Sequence, residues 1–147
     1  MHNIRAMSKA RKKTHQRIFL DVLFCDDVRQ EIGDKTTLVG IYKQELIVDS
    51  FPATLPRLAI VVRIGIDDRN YLDGGNINVH IGKRSIGPFE VDTGERVHLE
   101  VEKMLIEAVI IMDQIVFDEA CEITVTYSTK SEILTGFSLI VRNADKS

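Results

Sequence analysis

At 147 residues, with 44% hydrophobic and 28% charged side chains, the chain has the length of one domain and an ordinary globular balance. No apolar run approaches the roughly 20 residues needed to cross a bilayer, which excludes a membrane-spanning helix. The net charge of −3 hides an asymmetry: residues 1–17 hold six basic side chains and no acid, leaving 13 basic and 22 acidic ones for the rest.

That first segment, with Arg5, Lys9, Arg11, Lys12, Lys13 and Arg17, predicts a flexible, disordered basic tail. It has too few apolar residues to bury a core. The functional alternative is contact with nucleic acid or an acidic partner. No aromatic residue is interleaved to stack on bases, which weighs against nucleic acid. A further reading takes Met7, opening MSKARKK, as a natural start and residues 1–6 as an upstream extension.

Ile18–Cys25, IFLDVLFC, is β-branched and aromatic without helical period, and predicts a strand buried on both faces. It follows basic residues, as a signal peptide would. It is too short, contains Asp21 and lacks a small-residue cleavage site. The expectation is therefore a cytoplasmic chain with two reduced cysteines. Asp21 reads as a hydrogen-bonded structural residue of that strand.

Phe24–Tyr42 holds the densest turn chemistry. An extended Asp26–Ile32 puts Asp27, Arg29 and Glu31 on one face. Gly33-Asp34 suits a two-residue type II′ loop, and Lys35–Tyr42 returns as a strand. In that register Val28 faces Val39, Arg29 faces Leu38, Glu31 faces Thr36 and Gly40 faces Asp27. The alternative for DDVRQEI is one helical turn between strands.

Lys43–Ser50 extends that strand or begins another. Phe51–Pro56, with two prolines, predicts a loop. Arg57–Ile66 is a clear strand: Leu58, Ile60, Val62, Ile64 and Ile66 form an apolar face, with Arg57, Ala59, Val61, Arg63 and Gly65 opposite. Asp67–Gly75 is a polar loop. Its Asp67, Asp68, Asn70 and Asp73 suggest calcium only weakly, because the spacing is not that of an EF-hand; acid-rich turn chemistry is the plainer reading. Asn76–Ile81 alternates, with Ile77, Val79 and Ile81 inward. Gly82–Ser85 is a turn. Phe89–Val91 and Val97–Val101 are short strands. Lys103–Asp113 fits either a helical stripe or a β-branched strand, and strand is favoured by its Ile106, Val109, Ile110 and Ile111. Gln114–Asp118 is a connection, Glu122–Tyr127 an alternating strand, and Thr129–Glu132 a hairpin tip. Ile133–Val141 closes the domain with Phe137, Leu139 and Val141 on one face.

No GxSxG, P-loop, GxGxxG or HExxH pattern occurs, so no catalytic residue is assigned and the expectation is a non-enzyme without cofactor. Cys25 and Cys121 could form a zinc site only with His80 and His98 through tertiary accident, and read instead as buried thiols. The candidate binding residues are Asp27, Arg29 and Glu31. The structural alternative is a charge network fixing hairpin register; the functional one is a recognition edge.

The run Cys25–Tyr42, CDDVRQEIGDKTTLVGIY, resembles an uncharacterised family of small bacterial and phage proteins. The residues that carry the resemblance are Asp26, Asp27, Val28, Arg29, Glu31, Gly33, Lys35, Leu38, Gly40, Ile41 and Tyr42. FPATLPRLAIVVRI at Phe51–Ile64 is similar to a loop and strand of the same family. Asp34 stands where the family often has a second glycine, and Glu119-Ala120-Cys121 where it often has Pro-Gly. The resemblance covers 18–66 well and the remainder loosely. It implies a compact β-sandwich and no activity.

Together these readings predict an all-β, single-domain antiparallel β-sandwich of about seven to nine strands over residues 18–142. Residues 1–17 are a flexible basic tail and 143–147 a polar end. The expected role is protein binding or regulation, with an unidentified protein partner or self-association through a strand edge. The alternatives are a ligand or enzymatic site in the 67–75 and 82–94 loops, and nucleic-acid contact through the tail.

Overall fold

The computed structural model describes residues 18–66, 74–91 and 104–144. Among them the chain is all strand and turn: β1 (Ile18–Glu31), β2 (Lys35–Ile41), β3 (Glu45–Val48), β4 (Ala53–Ile66), β5 (Gly75–Ile81), β6 (Arg84–Val91), β7 (Met104–Phe117), β8 (Cys121–Ser128), β9 (Ile133–Thr135) and β10 (Leu139–Asn143). Sheet A runs β2-β1-β4-β7, and sheet B runs β3-β10-β8-β5-β6 with β9 beside β8. The two pack face to face as a β-sandwich. The predicted tail, the calcium-like aspartates, Asp92–Glu95 and the Val97–Val101 strand with His98 lie outside the described residues.

Apolar alternation builds the core. Ile18, Val22 and Phe24 of β1, Leu58 to Ile66 at every second position of β4, and Ile106 of β7 supply one wall. Ile77, Val79 and Ile81 of β5, Ile123, Val125 and Tyr127 of β8, and Leu139 and Val141 of β10 supply the other. Lys103–Asp113 resolves as strand from Met104 onward. Its β-branched residues pair with β4 along the whole ladder, Ile66 opposite Met104 to Ala53 opposite Phe117.

Several expectations are corrected. The sandwich is not wholly antiparallel, because β3 is a separate strand running parallel to β10. Arg142 of β10 pairs there with Glu45 of β3. β1 is not buried on both faces along its length: Ile18, Val22 and Phe24 are buried on the inner face, while Phe19 and Asp21 on the other are exposed, Asp21 opposite Arg63. β4 starts at Ala53, so Pro56 lies in a strand. It is tolerated because the ladder has a gap there, opposite Gln114, where no backbone donor is needed. β7 runs through the predicted connection to Phe117. β6 takes in most of the predicted 82–94 loop, with a register shift beside cis Gly87-Pro88. The last predicted strand is broken into β9 and β10 at Gly136. That residue passes so close to β1 that an added Cβ would lie 2.5 Å from Val22 Cγ2. Phe137 follows the break and is 89% exposed rather than inward.

Candidate functional site: a hairpin folded back over sheet A

β1 pairs with β4 only from Ile18 to Cys25. Beyond Cys25 it leaves the sheet and pairs with β2 alone. The departure falls at Asp26, where the alternation of facing changes, and at Gly40 across from it. Gly40 has φ +68, and a Cβ there would lie 2.1 Å from Asp26 Oδ2, so only glycine lets the two strands pass at this point. Tyr42 anchors the bend from below. Its amide donates to Phe24 O at 2.8 Å and its hydroxyl to Asp26 Oδ1 at 3.0 Å.

The freed hairpin, 26–41, forms an arm lying across the outer face of sheet A. In a flat sheet β2 and β7 would stand three strand spacings apart, about 14 Å. Instead Thr36 Oγ1 of β2 donates to Glu107 Oε1 of β7 at 3.0 Å. Val28 and Leu38 on the arm's underside pack on Cys25, Ala59 and Val61, which are buried on the outer face of the sheet. Arg57 ties the base of the arm: Nε donates to Asp113 Oδ1 at 2.9 Å and NH1 lies 3.4 Å from Asp27 Oδ1.

The hairpin tip holds three residues rather than two. Gly33 and Asp34 both take positive φ, 87° and 56°, and Ile32 joins the loop, 95% exposed. Aspartate tolerates that conformation, which is why the expected two-residue loop does not form. The register therefore differs by one from the predicted one. Val28 faces Leu38, Arg29 faces Thr37, Glu31 faces Lys35 and Asp27 faces Val39. The slip matters because it pairs two apolar residues on the underside and opposite charges at the tip.

The three predicted site residues keep one facing but form no network with one another. Asp27 is drawn to Arg57, and Glu31 Oε1 accepts from Thr37 Oγ1 at 3.2 Å. Arg29 is exposed and has no hydrogen bond or ion pair with a described residue. Beneath the arm's tip lies a cleft of about 720 Å³. It is floored by Leu23 and Val61 and lined with Gln30, Thr36, Arg63 and Glu107. These cleft residues were not among the sequence candidates. The signal that could have found them is Ala59 and Val61 on the supposedly solvent face of β4, between Arg57 and Arg63.

Burial pushes the thiols of Cys25 and Cys121 up, which favours the neutral form. Both are free; Cys25 is fully buried and gives its proton to Asp27 O at 3.5 Å, while Cys121 is only partly buried. Among the described residues no group of histidine, cysteine and carboxylate gathers as a metal site. His80 is instead held between Ser85 Oγ at 2.9 Å and Thr126 Oγ1 at 3.4 Å on the outer face of sheet B.

Tyr42 gives the bend a pH dependence. Burial foremost, then the Asp26 carboxylate, pushes its phenol from the usual 10.0 up to about 12. The fold thus favours the neutral phenol. That stabilisation is full below pH 10 and is lost as pH rises through about 12. Wild type is expected to lose more stability than Tyr42→Phe between pH 10 and 12, read as the shift of the urea midpoint. Parallel losses in the two chains would refute the role given to Tyr42.

The chain belongs to a family whose model matches residues 20–142 and is described as a family of unknown function (DUF6941). The match covers both sheets and the whole arm. No curated protein and no solved structure matches the chain.

Proposed function

We propose that this protein is a non-enzymatic protein-binding module that meets its partner with the outward face and free edge of the β1–β2 arm. The observation that carries this reading is the asymmetry of the arm. Its underside is packed on sheet A, while its outward face shows Arg29, Glu31, Thr37 and Val39, with Ile32 at the tip. An arginine without a partner among the described residues, beside exposed aliphatic groups, is the composition of an interface centre. Among the described residues β2 pairs with β1 alone, so its second edge offers backbone donors and acceptors for an added strand. No described helix is long and apolar enough to cross a membrane. The two free thiols support a reducing compartment, and the sequence resemblance supports a bacterial or phage-infected cell as the setting.

Affinity capture with wild type and Arg29→Glu tests the proposal. The variant is expected to keep its fold, because Arg29 is exposed, and to lose at least about tenfold in retained partner. Lys130→Glu, in the turn after β8 of sheet B, serves as the charge-matched control and should retain the partner. An unchanged partner set for a folded Arg29→Glu removes this face from consideration.

A further inference from the structure

The arm is packed on the sheet at its root but not at its tip. Near the bend, Val28 and Leu38 close against Cys25, Ala59 and Val61. Toward the tip the described tie is one hydrogen bond between two side chains, Thr36 Oγ1 to Glu107 Oε1. Between these regions lies the half-open cleft of about 720 Å³, a size in the range of small-molecule sites.

Its chemistry is divided. Leu23 and Val61 make an apolar floor, and Leu105, 50% exposed, makes an apolar side at the mouth. Arg63 rises from β4 among them. Its Nε is buried and makes no hydrogen bond, although it is ion-paired with Glu107 Oε2 at 3.5 Å; the side chain as a whole is 42% exposed, toward the cleft and solvent. Glu107 is turned instead toward the arm, where its other oxygen accepts from Thr36. A buried Nε whose ion pair lacks hydrogen-bond geometry can still take an acceptor, and the exposed remainder of the guanidinium is open to the same group. A carboxylate offers two oxygens in one plane, the geometry a guanidinium edge takes up best. Lys35 at the rim adds a second cation, with Asp34 next to it, so the charges of the lining balance and the carboxylate is oriented by Arg63 rather than drawn by net charge.

We propose that the cleft under the arm is a binding site for a small amphipathic carboxylate, its head on Arg63 and its short alkyl part on Leu23, Val61 and Leu105. Such a ligand fills the space that the tip leaves open and braces the arm against the sheet. The site is independent of the protein-binding reading, since it uses the underside of the arm and not the outward face.

Hexanoate is a suitable probe, titrated into the full chain and followed by amide chemical shifts. Saturable shifts are expected at Gln30, Thr36, Arg63 and Glu107. Hexanol, with the same chain and no charge, should give none at equal concentration. Arg63→Met keeps the side-chain stem but not the fork, and should weaken binding by about tenfold or more. Leu105→Trp narrows the mouth at an exposed position and should abolish binding. The proposal is overturned if no shift saturates by about 10 mM hexanoate, if hexanol binds equally, or if Arg63→Met titrates as wild type. Should Arg63→Met lose the native spectrum, undiminished binding to Leu105→Trp overturns it instead.

Discussion

Gly40→Val is expected to destabilise the protein by about 2–4 kcal/mol and to loosen the β1–β2 arm. Two separate causes add at this position. The backbone sits at φ +68, which a β-branched residue adopts at a cost, and the new Cβ would lie 2.1 Å from Asp26 Oδ2 and 2.8 Å from its Cγ. Gly33 separates the two. It has φ +87 but open space, with Lys35 Cε the nearest atom at 3.7 Å. Gly33→Ala should therefore show backbone strain alone, about 1 kcal/mol. Gly40→Ala should exceed it, and Asp26→Ala in the same chain should recover part of the excess by removing the clash. Urea unfolding gives the energies. Hydrogen exchange of the β2 amides shows whether the arm opens ahead of the sandwich. Equal costs at Gly33 and Gly40 would show that the close passage at Asp26 does not shape the bend.

The bend explains why the site was only half legible in the sequence. Strand alternation is a local signal, and it identified the faces of β4 beyond Pro56, and of β5 and β8, because those stretches keep their period. The outward residues Arg29 and Glu31 followed from the same period. The folding back of the hairpin did not. It depends on Gly40 lying against Asp26, a contact between residues 14 apart that no period encodes. Once the arm is folded, Ala59 and Val61 cease to be solvent-facing, and Thr36 and Glu107, 71 residues apart, become neighbours. The cleft exists only through those long-range contacts. That Asp27, Arg29 and Glu31 are not bonded to one another has a related cause: Arg57 from β4 takes Asp27 away from its neighbours. A single glycine inside a strand was the visible mark of the bend, and its partner could not be known from the sequence.

The arm also connects stability to both proposed surfaces. Among the described residues its hold on sheet A includes a small apolar contact at the root, the Arg57 ion pairs at the base and a side-chain hydrogen bond at the tip. The ion pairs are largely exposed and contribute little individually. The half-buried Val28 and Leu38 therefore set most of the closing energy. An element held this lightly is the kind that opens locally without global unfolding. A partner on its outward face and a ligand beneath it would act on the same motion.

The largest single loss is expected at the far end of β7. From Ile106 to Met112 the inward residues occupy even positions, so an unbroken alternation would place Val116 inside and Phe117 outside. The structure reverses them: Phe117 is 1% exposed and Val116 41%. Gln114, at φ +55, breaks the period on β7, and the ladder gap at Pro56 breaks it on β4. Both strands change facing together, and Ile115 and Phe117 turn inward opposite Leu55 and Ala53. Matching breaks preserve the ladder, since a break in one strand alone would shift every pair beyond it. Phe117→Ala should accordingly cost about 3–5 kcal/mol, through lost burial and a cavity between the sheets. Val116→Ala, one residue away, should stay within about 0.5 kcal/mol. Urea midpoints at constant slope measure both. If Val116→Ala proves the more damaging, the alternation runs unbroken through Gln114, and the end of β7 faces the other way.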